Sequence, residues 1–203
     1  MPRSRALTIL ILILAGSIGC RTSASVRSPS KPDELSVRQK QARDAAVLNA
    51  ALAYILDDSE AHLEVTRERK PVIALYVPPP EPRGVGLMPK FTDQKRVDPL
   101  TPEQKAALKE AERHLAERAA AGESPTEFRP ANPRVIRVTR EERGDWHQHF
   151  AALPPGYAQD GKSAMVWLPF TWSSNFHGAD ALLYLERVDG DWRVKVRQYH
   201  FHF

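Results

Sequence analysis

The last forty residues of the chain constrain its fold more than any other stretch. Residues 163–172 are rich in β-branched and aromatic side chains and lack helical spacing, and turn-like segments separate them from residues 179–188 and 192–203. Asp189-Gly190 lies between the second and third segments, and this dipeptide is a strong hairpin signal because it tolerates positive φ. We therefore predict three consecutive antiparallel strands, a meander that needs an apolar cover to be stable.

The first and the last of these strands contain irregularities. Pro169 lies within the first strand, and because proline lacks the backbone donor, this strand should lie at a sheet edge or be bulged there. In the last strand Trp192, Val194 and Val196 share one face, but beyond Gln198 the aromatic residues fall on the opposite, basic face. A bulge near Gln198 or burial of both faces explains this change, and we favour burial under a helix.

The N-terminal part of the chain supplies the candidate cover. Residues 34–57 are predicted to form an amphipathic helix, with Asp33 or Ser36 as its N-cap. Its apolar stripe consists of Ala45, Leu48, Leu52 and Ile55. The predicted fold class is therefore α+β, an antiparallel meander sheet covered by an N-terminal helix.

The middle of the chain predicts a Pro-rich and helical insertion, residues 78–132, that follows an apolar strand at 71–77. Thr101-Pro102-Glu103-Gln104 is a capping box with proline at the first helical position, and Gly122 is a suitable C-terminal stop. The helix between them is mostly alanine and polar residues, so we expect it to be peripheral. A partner-binding arm and a solvated decoration both remain open for this insertion.

A further strand and helix should lead back to the meander. Residues 134–139 are predicted to form a short strand. A second capping box at Thr139 precedes Trp146, Phe150 and Leu153, whose spacing predicts a helix.

The first twenty residues indicate the cellular location of the protein. Arg3 and Arg5 precede an apolar segment, Leu7 to Leu14, that is too short to span a bilayer, and small residues then lead to Cys20. This stretch resembles a bacterial lipoprotein leader, in which the cysteine is lipidated and becomes the mature N-terminus. The resemblance implies a signal peptide at 1–19, a membrane partner through lipid on Cys20, and a place in the bacterial cell envelope, facing the periplasm or the exterior. A plain secretory signal and an uncleaved N-terminal anchor are the alternatives.

Composition agrees with an exported globular protein. Cys20 is the only cysteine, and acylation accounts for a single thiol in an exported chain. The polar, Pro-containing residues 20–33 predict a flexible tether to a single domain at 34–203. The chain has 29 basic and 25 acidic residues without a basic run, so we predict no nucleic-acid partner.

The order of elements suggests a functional class. A helix before a curved antiparallel sheet, with the closing hairpin ALLYLERVDGDWRV at Ala181–Val194, resembles small exported domains of the NTF2-like and cystatin-like types. The NTF2-like resemblance implies a cone-shaped pocket between the helix and the sheet. We select Trp172, His177, His200 and His202 as candidate pocket residues, because Trp172 and His177 flank a polar turn and the last two share a strand face at a spacing that suits metal chelation.

The predicted function is a lipid-anchored, non-enzymatic binding or interaction domain whose protein or small-molecule partner is unknown. We assign no catalytic residue, no metal ligand and no cofactor. The alternative is an NTF2-like pocket protein or a small metal-dependent enzyme that uses the C-terminal histidines.

Overall fold

Helices and a single mixed sheet make up the part of the chain that the structure describes, which confirms the α+β class. The structure is a computed structural model, and it describes residues 36–58, 73–82, 100–142, 148–171 and 178–202. The helices are α1 (Val37–Asp57) and α2 (Pro102–Ala120). The strands are β1 (Ile73–Tyr76), β2 (Val135–Val138), β3 (His149–Ala151), β4 (Gly156–Tyr157), β5 (Ser163–Thr171), β6 (Gly178–Val188) and β7 (Asp191–His202).

The sheet is mixed, whereas the sequence predicted only antiparallel strands. Its order is β2-β1-β3-β5-β6-β7, and β4 pairs with β5 outside this path. Strand β1 runs parallel to both β2 and β3, while β5, β6 and β7 pair antiparallel in chain order. The connection from β1 through α2 to β2 is long enough to return the chain in the same direction, which parallel pairing requires.

Helix α1 begins at a capping box and contacts the sheet through its apolar stripe. Ser36 is the N-cap and forms a reciprocal capping box with Gln39. The apolar stripe of α1 packs on one face of β5, β6 and β7, which we call the α1 face. Leu48 and Leu52 are at most 1% exposed there, and burying each such side chain contributes roughly 2 kcal/mol of transfer free energy.

Helix α2 is more than a peripheral decoration. Thr101 caps it as predicted, and Gly122 follows its end with a positive φ of 70°. Its Ala111 and Leu115 are fully buried against Met165 and Leu182, on the sheet face opposite α1, which we call the α2 face. The predicted peripheral helix is therefore wrong, because the two small or medium apolar residues fit a close approach to the sheet.

The close approach of α2 depends on one glycine. A β-carbon at Gly156 in β4 would collide with the backbone of Ala111 and Leu115. Only a residue without a side chain lets the helix lie directly on this strand.

A bulge explains the change of pattern in β7. Tyr184 pairs with Val196 and Leu185 with Val194, so Lys195 is the extra residue. The bulge lies three positions before Gln198 and puts Tyr199 on the α1 face with Val194. Both faces are also covered at this point, as we favoured: Gln198 is 3% exposed on the α2 face, and Tyr199 packs against the core on the α1 face.

Two other predictions differ from the structure because pairing between strands decided the local conformation. The capping box of Thr139 and Glu142 forms, but His149–Ala151 is strand β3 rather than part of a helix, because the backbone pairs with β1 and β5. Strand β5 is central in the sheet rather than at an edge, since β3 pairs with its residues 170–171 and β4 with 164–165. The pairing with β3 stops at Phe170, next to Pro169, which has no N–H to donate.

Candidate functional site

The predicted site residues fall into two groups. Trp172, His177 and Cys20 lie outside the residues that the structure describes. His200 and His202 lie in β7, opposite Asp180 and Gly178 of β6, and both are on the α2 face. They therefore cannot line a cavity between α1 and the sheet, since α1 covers the other face.

Asp180 organises the polar end of the α2 face. The indole Nε1 of Trp167 donates to its Oδ1 at 2.8 Å, and its Oδ2 lies 2.8 Å from Nε2 of His202. The Asp180 side chain is 15% exposed and that of His202 is 59% exposed. The carboxylate is thus fixed by a neighbour, while the imidazole it orients remains open to solvent.

His200 has a different partner from His202. The amide Nε2 of Gln198, a buried side chain, lies 2.6 Å from Nε2 of His200. Because an amide nitrogen only donates, the imidazole nitrogen is the acceptor in this contact. The two histidines therefore share a face but not a common ligand position.

This arrangement holds the elements of a general base without the rest of a hydrolytic site. An aspartate that orients a solvent-accessible histidine suits proton transfer. Within the described ranges, however, no serine, threonine or cysteine side chain is hydrogen-bonded to His200 or His202. The same ranges contain no group of three or more His, Cys, Asp or Glu side chains that could hold a metal ion.

A second polar site, which the sequence did not predict, joins the two helices. Arg118 of α2 donates to both carboxylate oxygens of Asp44 in α1, at 3.1 and 2.7 Å. It also donates to Oε2 of Glu123 at 2.7 Å and to the carbonyl of Pro155 at 2.6 Å. Tyr157 completes the arrangement by donating its hydroxyl to Asp44 at 2.8 Å. We call this cluster of five residues the helix clasp.

The clasp shifts the pKa values of its members in the directions that hold it together. Burial alone lowers the pKa of Arg118, but hydrogen bonds and charge from Asp44 and Glu123 outweigh it and raise the value. Burial raises the pKa of Tyr157, and the charge of Asp44 raises it further, so the hydroxyl remains a donor. Burial would raise the pKa of Glu123, but Lys40 and Arg118 lower it instead.

A cleft of about 290 Å³ opens beside the clasp, between α1 and the segment after α2. Asp44, Arg118 and Glu123 all reach its wall, but their charges are already matched with one another. The clasp is therefore well suited to fix the two helices and poorly suited to bind a charged ligand.

Spacing along each helix could have revealed the clasp. Asp44 precedes Leu48 by four positions and Arg118 follows Leu115 by three, so each charged residue lies on the buried stripe of its own helix. A lone charge on an apolar stripe indicates a buried partner. The sequence alone does not predict that the stripe of α1 meets the stripe of α2.

Comparison with known proteins neither supports nor refutes the resemblances to a lipoprotein leader and to NTF2-like domains. No protein family, no curated protein and no solved structure matches this chain.

Proposed function

We propose that this protein is an exported, lipid-anchored binding domain. Its leader supplies the export signal and Cys20 the lipid attachment, while residues 20–33 act as the tether and 34–203 as the domain. The β5–β7 meander is the scaffold of that domain, α1 is its cover, and residues 78–132 are an insertion whose helix packs on the opposite face.

One observation carries the proposal of binding rather than catalysis. The space between α1 and the sheet is filled by fully buried side chains such as Leu48, Ile55 and Leu183, while His200 and His202 lie on the opposite face. A filled core with the histidines on an open surface favours a domain that acts through its exterior. A reactive pocket in the core would need room that these side chains occupy.

Replacing the lipidation site tests the anchoring. In the full chain, Cys20→Ser should release the protein from the membrane fraction or block removal of the leader, because serine cannot form the thioether to the lipid. Membrane fractionation with immunoblotting measures both effects. Ser25→Ala, five residues away in the tether, is the control and should leave the protein in the membrane fraction. Undiminished membrane retention of Cys20→Ser would refute attachment through this residue.

The pair formed by His202 and Asp180 favours a second candidate function. An oriented, accessible imidazole beside His200 is a starting point for a metal-dependent or acid–base enzyme. Metal analysis of the purified protein separates the two functions. A bound transition metal that is lost in both His200→Ala and His202→Ala, with the fold intact, would favour the enzyme over the binding domain.

A further inference from the structure

A basic cleft lies at one end of the sheet, where β1 and β2 end. Strands β1 and β2 are parallel, and their last paired residues are Tyr76 and Val138. The chain leaves the sheet at the same edge after both strands, and the cleft between the departing segments has a volume of about 700 Å³. This volume is typical of small-molecule sites, and ligands commonly bind at the carboxyl ends of parallel strands.

The cleft concentrates positive charge. Arg129, Arg137 and Arg140 line it, and none of its lining residues that the structure describes is acidic. We call it the arginine cleft. Within the described part of the chain, none of these three arginines forms an ion pair with a carboxylate.

Two of the guanidinium groups are held side by side by the same backbone atoms. Nη1 of Arg137 donates to the carbonyls of Thr126 and Phe128 at 2.6 and 3.2 Å. Nη1 of Arg129 donates to the same carbonyls at 3.5 and 3.1 Å. Like charges this close repel each other, and a bound anion would remove that repulsion.

The hydrogen bonds leave suitable donors for an anion. Each guanidinium has five N–H groups in a planar fork, and the bonds to Thr126 and Phe128 use only Nη1 of each. The Nε and Nη2 edge of such a fork matches the two oxygens of a carboxylate or phosphate. Fixing Nη1 to the backbone also reduces the side-chain entropy that binding would cost.

Apolar groups form much of the remaining wall. Val77, Pro78 and Pro79 line the cleft beside the arginines. Val77 packs against the main core, on the same sheet face as Leu75, the partner of Arg137, so this part of the wall is fixed by the fold. A ligand that fills the cleft would therefore combine an oxyanion with an apolar body.

We infer that the arginine cleft binds a small organic anion, one with a carboxylate or phosphate group and an apolar body. The inference gives the proposed binding domain a ligand class and in that respect rests on the proposed function. The two remain separable in experiment. Loss of anchoring in Cys20→Ser concerns the leader alone, and loss of anion binding concerns the cleft alone.

Calorimetric titration of the purified full-length chain tests the site, with phenyl phosphate and benzoate as probes. At least one probe should bind saturably with a Kd of about 1 mM or tighter. Arg129→Gln combined with Arg137→Gln should weaken that binding about tenfold, because both forks lose their charge. Arg113→Gln is the matched control: it removes an exposed arginine that pairs with Glu117 on α2, and it should leave the Kd unchanged.

A folding control, a second variant and two further probes make each outcome of the titration decisive. Thermal unfolding verifies that the double variant is folded, and if it is not, Arg140→Gln replaces it and should also weaken binding. Inorganic phosphate and benzyl alcohol, which carry only one half of the ligand chemistry, should each bind more weakly than phenyl phosphate. Failure of both aromatic probes to bind, equal binding by the double variant, or equal affinity for inorganic phosphate would overturn the inference.

Discussion

Arginine is used in opposite ways at the helix clasp and at the arginine cleft. Arg118 in the clasp is 5% exposed and is neutralised by two carboxylates, those of Asp44 and Glu123. Arg129 and Arg137 in the cleft contact backbone carbonyls, and no carboxylate of the described chain pairs with them. A buried cation must be matched within the fold, whereas a cation at a solvent-filled cleft can remain available to a ligand.

One short segment serves both sites. Glu123, directly after α2, supplies a carboxylate to the clasp, and Thr126 and Phe128 a few residues later supply carbonyls to the cleft. Phe128 is itself buried in the main core, which fixes the segment between the two sites. The difference between the sites therefore comes from which oxygen atoms the segment presents, a side-chain carboxylate or backbone carbonyls.

Breaking the clasp should give the largest effect. Asp44→Asn removes the negative charge that faces Arg118 and leaves a buried cation short of its partner, so we expect a loss of about 3–5 kcal/mol in the free energy of unfolding. Denaturant unfolding followed by tryptophan fluorescence measures this loss.

Two controls separate the lost charge from a general effect of mutation. Glu117→Gln removes the carboxylate of the exposed pair with Arg113 and should cost about 0–1 kcal/mol. Asp44→Leu combined with Arg118→Met removes both buried charges and should be less destabilising than Asp44→Asn alone. A loss below about 1 kcal/mol for Asp44→Asn would contradict the view that the clasp is a matched buried pair.

A pH effect of intermediate size should come from His114, the neighbour of the clasp in α2. Its Nδ1 accepts a hydrogen bond from the backbone N–H of Tyr157 at 3.0 Å. Burial and the charge of Arg118 lower the pKa of His114 below its ordinary value of 6.5. The unfolded chain thus binds the proton more readily, so the stability from neutral His114 is present above pH 6.5 and is lost as the pH falls toward the folded value.

Comparison with His114→Gln isolates this effect. Glutamine can still accept from the backbone of Tyr157 but does not titrate. The difference in unfolding free energy between the natural protein and the variant should therefore move in favour of the variant between pH 7.5 and pH 5. A difference that stays constant over this range would mean that His114 titrates alike in the folded and unfolded chain.

Signals between near neighbours in the sequence predict the helix caps and the turn, whereas pairing between strands determines which of the remaining segments are strands. The capping residues Ser36 and Thr101 and the Asp189-Gly190 turn act within a few positions, and each is found where the sequence predicted it. Phe150 had helical spacing with its neighbours, but two strands distant in sequence, β1 and β5, pair with the backbone around it. Local propensity yields where such pairing satisfies the backbone better.

In the candidate sites, too, local geometry could be predicted from the sequence and long-range pairing could not. That His200 and His202 share a strand face could be predicted from period-2 geometry, but the partner Asp180 follows from the register of β6 against β7. The arginine cleft also depends on long-range pairing, because the parallel pairing of β1 with β2 brings Arg137 beside the segment that begins at Val77. No spacing within either strand indicates that pairing.

The smallest effect on stability should come from the arginine cleft. Arg137→Gln removes two hydrogen bonds to the carbonyls of Thr126 and Phe128, but Arg129 donates to the same two oxygens and the repulsion between the guanidinium groups disappears. We therefore expect the free energy of unfolding to change by less than about 0.5 kcal/mol, as for ordinary surface substitutions. Denaturant unfolding in low salt, where charge repulsion is least screened, measures it. A loss as large as that of Asp44→Asn would show that Arg137 holds the fold together as Arg118 does, and the contrast between the two sites would fail.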